Sequence, residues 1–159
     1  MNATKTLHIF KPGRQTAMNG LTLEFSESDL AASAAAYDPA KHEAPIVIGH
    51  PKHDDPAYGW VKSLATADDG LQAEPHQVDA AFAELVEAGR YKKISASFYL
   101  PDAPNNPVPG VYYLRHVGFL GAAPPAVKGL RKPAFNLSEA AGTVTVEFSI
   151  SSAQEVAFV

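Results

Sequence analysis

Three runs of strand-forming residues limit what this chain can fold into more than any other feature. Residues 46–51 are apolar on consecutive positions through Ile46, Val47 and Ile48, as in a strand buried on both faces, and His50 sits where that run ends. Residues 91–100 carry Ser95 and Ser97, and residues 112–119 carry His116 near the middle. Side by side, three such strands would gather a serine and two imidazoles.

The rest of the chain supplies further strands and two helices. Residues 6–10 read as a strand ended by Lys11, Pro12 and Gly13; after the Asn19-Gly20 turn, Leu21, Leu23 and Phe25 alternate with Thr22 and Glu24 as in a half-buried strand. Ser26 to Asp29 offer capping oxygens to an alanine-rich helix over 30–37, a composition suited to close packing on a neighbour. A hairpin turning at Asp68, Asp69 and Gly70 joins runs 58–65 and 71–74, with Tyr58 and Trp60 as barrel packing. Val78 and Asp79 introduce a second helix whose buried face is Phe82, Leu85 and Val86 and whose stop is Gly89. Residues 101–109 are rich in Pro and Asn and read as an exposed loop, and 127–133 as basic and irregular. Residues 143–150, with Val144, Val146 and Phe148 alternating, give a last strand. The fold class expected is therefore mainly β with flanking helices, an α+β chain.

Composition closes off several kinds of function. A length of 159 residues suits one ordinary domain with one core. The net charge of −4 gives no basic footprint for nucleic acid, and no apolar run is long enough to span a membrane. With no cysteine there is no disulfide, thiolate nucleophile or Cys-bound zinc. Acyl chemistry would have to use a hydroxyl, a carboxylate or an amine.

A serine hydroxyl attacks a carbonyl well only when a base removes its proton and a third group orients that base. Ser95, His50 and His116 can fill those three roles, and Ser97, two residues on and on the same strand face, is the alternative nucleophile. A neutral histidine supports an imidazolium less than a buried carboxylate does, so such a triad should turn over slowly.

Gly49-His50-Pro51, Ile94-Ser95-Ala96-Ser97-Phe98, and the stretch from His116 through Val117, Gly118, Phe119, Leu120, Pro124 and Pro125 to Ala126 together resemble the Mu-like phage head-maturation proteases, the protease/scaffold or I proteins. The likeness covers about residues 45–130. It implies a closed β-barrel of the assemblin and prohead-protease type, with His50 as base, Ser95 as nucleophile and His116 as third member. Ser97 stands where the wider group often has glycine. The resemblance also implies an oxyanion site near Gly118 or the Arg115 side chain.

The function that the likeness implies is that of a phage prohead maturation serine endopeptidase, occupying residues 1–150, which cuts scaffold and its own extension during capsid assembly. Residues 151–159 would be a tail leading to a scaffold region absent from this chain, with Ala140-Ala141-Gly142 as a candidate cut site. Scaffold and major capsid proteins would be the substrates or assembly partners. The setting would be the procapsid interior in the host bacterial cytoplasm, with activation by homodimerisation and no cofactor.

Two other readings stay open on the residues. A noncatalytic capsid assembly or scaffolding module could keep the barrel and use only its surface. His50, His53, Asp54 and Asp55 have metal-ligating composition, but the His-x-x-His spacing does not put both imidazoles on one side of a strand, and Pro51 and Pro56 favour a solvated loop, so no metal is expected. His8, His42 and His76 show no partners in the sequence, and Lys92 and Lys93 should be exposed at a strand start.

Overall fold

The computed structural model of the chain describes residues 6–17, 20–49, 51, 54–122, 127, 130–135 and 155–157. Among these residues nine strands and two helices succeed one another as β1 (Leu7–Phe10), β2 (Gly13–Thr16), β3 (Thr22–Phe25), α1 (Glu27–Ala36), β4 (Pro45–Ile48), β5 (Gly59–Ala67), β6 (Gly70–His76), α2 (Ala80–Glu87), β7 (Lys93–Tyr99), β8 (Tyr113–Leu120) and β9 (Glu155–Ala157). The large sheet runs β1-β6-β5-β4-β8-β7-β9, and β1 also packs beside β7. Its first six strands curl into a nearly closed barrel, and β2 and β3 form a separate hairpin. The expectation of a mainly β chain with two helices holds.

The punctuating residues make these elements. Ser26 caps α1 with a full capping box: its hydroxyl accepts from the Asp29 N–H, and the Asp29 carboxylate accepts from the Ser26 N–H. Asp79 caps α2, which ends at Gly89 (φ 83°): the Gly89 N–H donates to Val86 O and the Arg90 N–H to Leu85 O. The β5–β6 turn needs glycine at position 70, where φ is 125° and an added Cβ would lie 2.2 Å from the Phe10 carbonyl oxygen.

Two aromatic clusters fill the core near opposite ends of β8. Phe10, Phe25 and Phe98 meet with centroids 4.7 to 6.3 Å apart. Phe82 of α2 reaches Phe119 (5.1 Å), Tyr58 (5.4 Å), Tyr91 (5.5 Å) and Phe135 (6.1 Å). Each buried aromatic ring is worth several kcal/mol, about 3–5 on truncation to alanine, so α2 is held mainly by Phe82.

Several expectations need correction. Leu85 is 43 % exposed; the buried face of α2 is Phe82, Ala83 and Val86, because Ala83 and not Leu85 faces the barrel. Residues 13–16 form a strand where only a turn was expected, since pairing with β3 outweighs the poor strand propensity of Gly13 and Arg14. The 101–109 loop is not wholly exposed. Asn106 is buried and its amide donates to Leu100 O (3.0 Å) and Val111 O (2.8 Å) while accepting from the Val108 N–H (2.8 Å). The strand expected over 143–150 and the site at Ala140-Ala141-Gly142 lie outside the described residues, as does the tail apart from β9. Among the described residues no helix is long and apolar enough to cross a membrane.

Candidate functional site

The register between β7 and β8 brings the sequence-predicted residues together. Ser95 lies opposite Gly118 and Ser97 opposite His116. Side chains two apart share a face, so Ser95, Ser97 and His116 project from the same side of the sheet while Ile94, Ala96 and Phe98 fill the barrel. Directly opposed Cβ atoms stand about 4.5–5.5 Å apart and diagonal ones about 7–8 Å. His116 therefore neighbours Ser97 directly and Ser95 on the diagonal.

On its other side β8 pairs in parallel with β4, Val47 beside Gly118 and Ile48 beside Phe119. The row Val47, Gly118, Ser95 thus crosses three strands, with Gly118 contributing no side chain between the buried Val47 and Ser95. Past Ile48 the Gly49 N–H donates to Phe119 O (3.1 Å), and at φ 66° Gly49 turns the chain away from the strand direction. His50 itself lies outside the described residues, as does His53; Gly49 on one side of His50 and Pro51 on the other are placed, the first against β8 and the second on the wall of a groove shared with His116.

All three polar side chains are removed from solvent: Ser95 is 1 % exposed, Ser97 0 % and His116 2 %. The Ser97 hydroxyl finds no hydrogen-bond partner among the described residues. A buried hydroxyl without a partner is a standing cost to stability.

A β-bulge re-aims β8 at this point. The pairing jumps from Ser97–His116 to Phe98–Leu114, so Arg115 is the extra residue on β8. Its guanidinium lies 3.3 Å from Nδ1 of His116 and 6.0 Å from the centre of the Tyr99 ring. A guanidinium only donates, so Nδ1 of a neutral His116 accepts and the ring proton sits on Nε2. The Arg115 carbonyl accepts from Nε2 of His42 (2.8 Å), whose ring stands edge-on to Tyr99 (5.6 Å) and Tyr113 (6.0 Å). Burial, and secondarily the Arg115 charge, holds the His42 pKa below its ordinary value against the opposing pull of that carbonyl.

A groove of about 500 Å³ opens on this face, with His42, Trp60, Tyr99, Arg115 and His116 among its lining and Asp54 and Asp55 exposed at its rim. Trp60, expected as barrel packing, lines this groove, whereas Tyr58 does pack in the core against Phe82. Among the described residues no three His, Asp or Glu side chains are close enough to hold a metal ion.

Reading the sequence missed His42, Tyr99 and Tyr113. His42 and Arg115 are 73 positions apart and meet only through the fold. The expectation that His8, His42 and His76 lack partners is corrected for all three, since His8 bonds Asp69 O (2.5 Å) and His76 bonds the Glu43 carboxylate (2.9 Å). Lys92 and Lys93 are exposed as expected. Gly118 lies in mid-strand with a paired strand on each side, so its N–H is committed to the sheet, while the Arg115 side chain reaches the groove. Comparison with protein-family models, with curated proteins and with solved structures returned no match to this chain.

Proposed function

We propose that this chain is a slow serine endopeptidase of the assemblin and prohead-protease type, acting in phage capsid maturation on scaffold and capsid proteins and on its own extension. The observation that carries the reading is the β7–β8 register, which sets Ser95 and Ser97 on one face with His116, in a sheet where β8 also pairs with β4, the strand that leads into His50.

In this mechanism the Ser95 Oγ adds to the scissile carbonyl carbon while its proton passes to His50. The C–N bond then breaks as His50 gives that proton to the departing amine, leaving an acyl-serine ester. Water, deprotonated by the same imidazole, adds to the ester and the serine is released. His116 orients His50 by accepting its N–H. The Arg115 contact places the His116 proton on Nε2, so Arg115 must first leave Nδ1 for the ring to present an accepting nitrogen; its natural destination is the carbonyl oxygen as negative charge develops there. An extended peptide, with small residues such as alanine near the cut, would lie along the groove that His116 and Arg115 line, and the buried Ser95 must become exposed for its hydroxyl to reach the scissile carbonyl.

Cleavage of alanine-rich scaffold peptides, followed by chromatography and mass spectrometry, tests the reading. Ser95→Ala and His50→Ala should each lower the rate at least ~10³-fold, in line with loss of a nucleophile or its base. Unchanged cleavage by Ser95→Ala with loss in Ser97→Ala would move the nucleophile to Ser97. No cleavage by the unsubstituted chain, with tight capsid-protein binding, would favour a scaffolding module instead.

A further inference from the structure

We propose that His42 is a positioning residue that holds the β8 bulge at Arg115, and through the bulge the aim of His116 and Arg115 into the groove; the proposal rests on the reading of this face as a peptidase site. The reason is a missing backbone donor. The bulge takes Arg115 out of register with β7, and on the other flank β4 begins at Pro45, which has no N–H to offer. The Arg115 carbonyl is served instead by the His42 ring, whose Nε2–H donates to it across 2.8 Å. A side chain stands in for a strand neighbour.

That side chain is itself held from several directions. The Tyr113 hydroxyl accepts from the Asp38 N–H (3.0 Å) and lies within donating distance of the Asp38 (2.8 Å) and His42 (3.0 Å) carbonyls. Tyr37 stacks on Tyr113 at 5.6 Å, donates to Val61 O (2.6 Å) and accepts from the Ala44 N–H (2.9 Å). The connection over residues 37–44 is therefore fastened to β5 and β8 together, and it feeds directly into β4, the strand that precedes His50. One clamp sets the placement of β4 relative to β8, the strand that bears His116. It also fixes the tautomer of His42: with Nε2 donating to a carbonyl, the ring is no proton acceptor toward Arg115 and serves as a donor strut.

A donor strut and a mere space-filler respond differently to substitution. His42→Gln keeps an N–H at comparable reach; His42→Leu keeps volume without a donor, and His42→Asn keeps the amide but is too short to reach Arg115 O. In the 159-residue chain, the rate of acylation by a fluorophosphonate probe should stay within about threefold for His42→Gln and fall about 30-fold or more for His42→Leu and His42→Asn. His42 also lines the groove, so with a peptide substrate the test reads kcat, which should hold for His42→Gln and fall for His42→Leu and His42→Asn whatever KM does. Ring ¹⁵N shifts of His116 give a readout independent of activity: unchanged in His42→Gln, displaced in the other two. Equal losses in all three variants, or wild-type rates and His116 shifts in His42→Asn, would overturn the proposal. If the unsubstituted chain does not acylate at all, the peptidase reading fails, and the His116 shifts alone still decide whether His42 sets the bulge.

Discussion

Replacing Ser97 by alanine should make the protein more stable. Its hydroxyl is fully buried with no hydrogen-bond partner among the described residues, and a polar group left in that state costs about 1–3 kcal/mol of desolvation. Alanine retains the Cβ and removes only the oxygen. The loss is a handful of dispersion contacts at about 0.1–0.2 kcal/mol each, together less than about 1 kcal/mol. The balance is a gain of about 0.5–2 kcal/mol. For a domain of this size each kcal/mol moves the midpoint by about 2–4 °C, so thermal unfolding followed by circular dichroism should shift upward by a few degrees. If Ser97→Ala melts several degrees lower than the unsubstituted chain, the hydroxyl has a partner and the reasoning is wrong.

Three further substitutions or conditions probe the fold around the site. Gly70→Ala should lose about 3 kcal/mol or more in urea unfolding, since it forces a side chain to φ 125° and against the Phe10 carbonyl; a loss under about 1 kcal/mol would mean that the β5–β6 turn can rearrange. Asn106→Ala should cost about 2–4 kcal/mol by releasing three backbone partners at once, and increased hydrogen exchange at Val108 would accompany it. His8 is buried, bonds Asp69 O through one nitrogen and accepts the Arg131 N–H on the other, and burial holds its pKa below 6.5. The unfolded chain therefore takes up this proton first: the stability tied to neutral His8 is complete above pH 6.5 and is lost as pH falls from there toward the folded pKa. The slope reaches at most about 1.4 kcal/mol per pH unit. His42 acts in the same direction. His8→Asn should flatten part of that acid limb, and an unchanged limb would count against the assignment.

How much was legible in the sequence depended on the range of the forces involved. Helix caps at Ser26 and Asp79, the stop at Gly89 and the turn at Gly70 are local chemistry, and they stand where the residues placed them. The continuous apolar run of β4 foretold a central strand, and Ile46 and Val47 are buried on opposite faces. Leu85 misled because a helix of two turns can rotate a residue's worth without losing its apolar pattern, and Phe82 chose the rotation. Strand β2 was invisible because its stability comes from β3 and from no propensity of its own. At the site, Ser95 and Ser97 could be put on one face by counting, whereas the pairing that sets His116 beside them comes from the β7–β8 register. The bulge at Arg115 could not be counted out either, since nothing in Leu114, Arg115 or His116 signals an extra residue, and His42 depends on that bulge for its partner.

The central claim is that one serine on β7 is a nucleophile. Treating the 159-residue chain with a fluorophosphonate and mapping the adduct by peptide mass spectrometry tests this most directly. A single stoichiometric adduct on Ser95, abolished in His50→Ala and retained in Ser97→Ala, is the expected result; no adduct on either Ser95 or Ser97 under conditions where the chain is folded would contradict it.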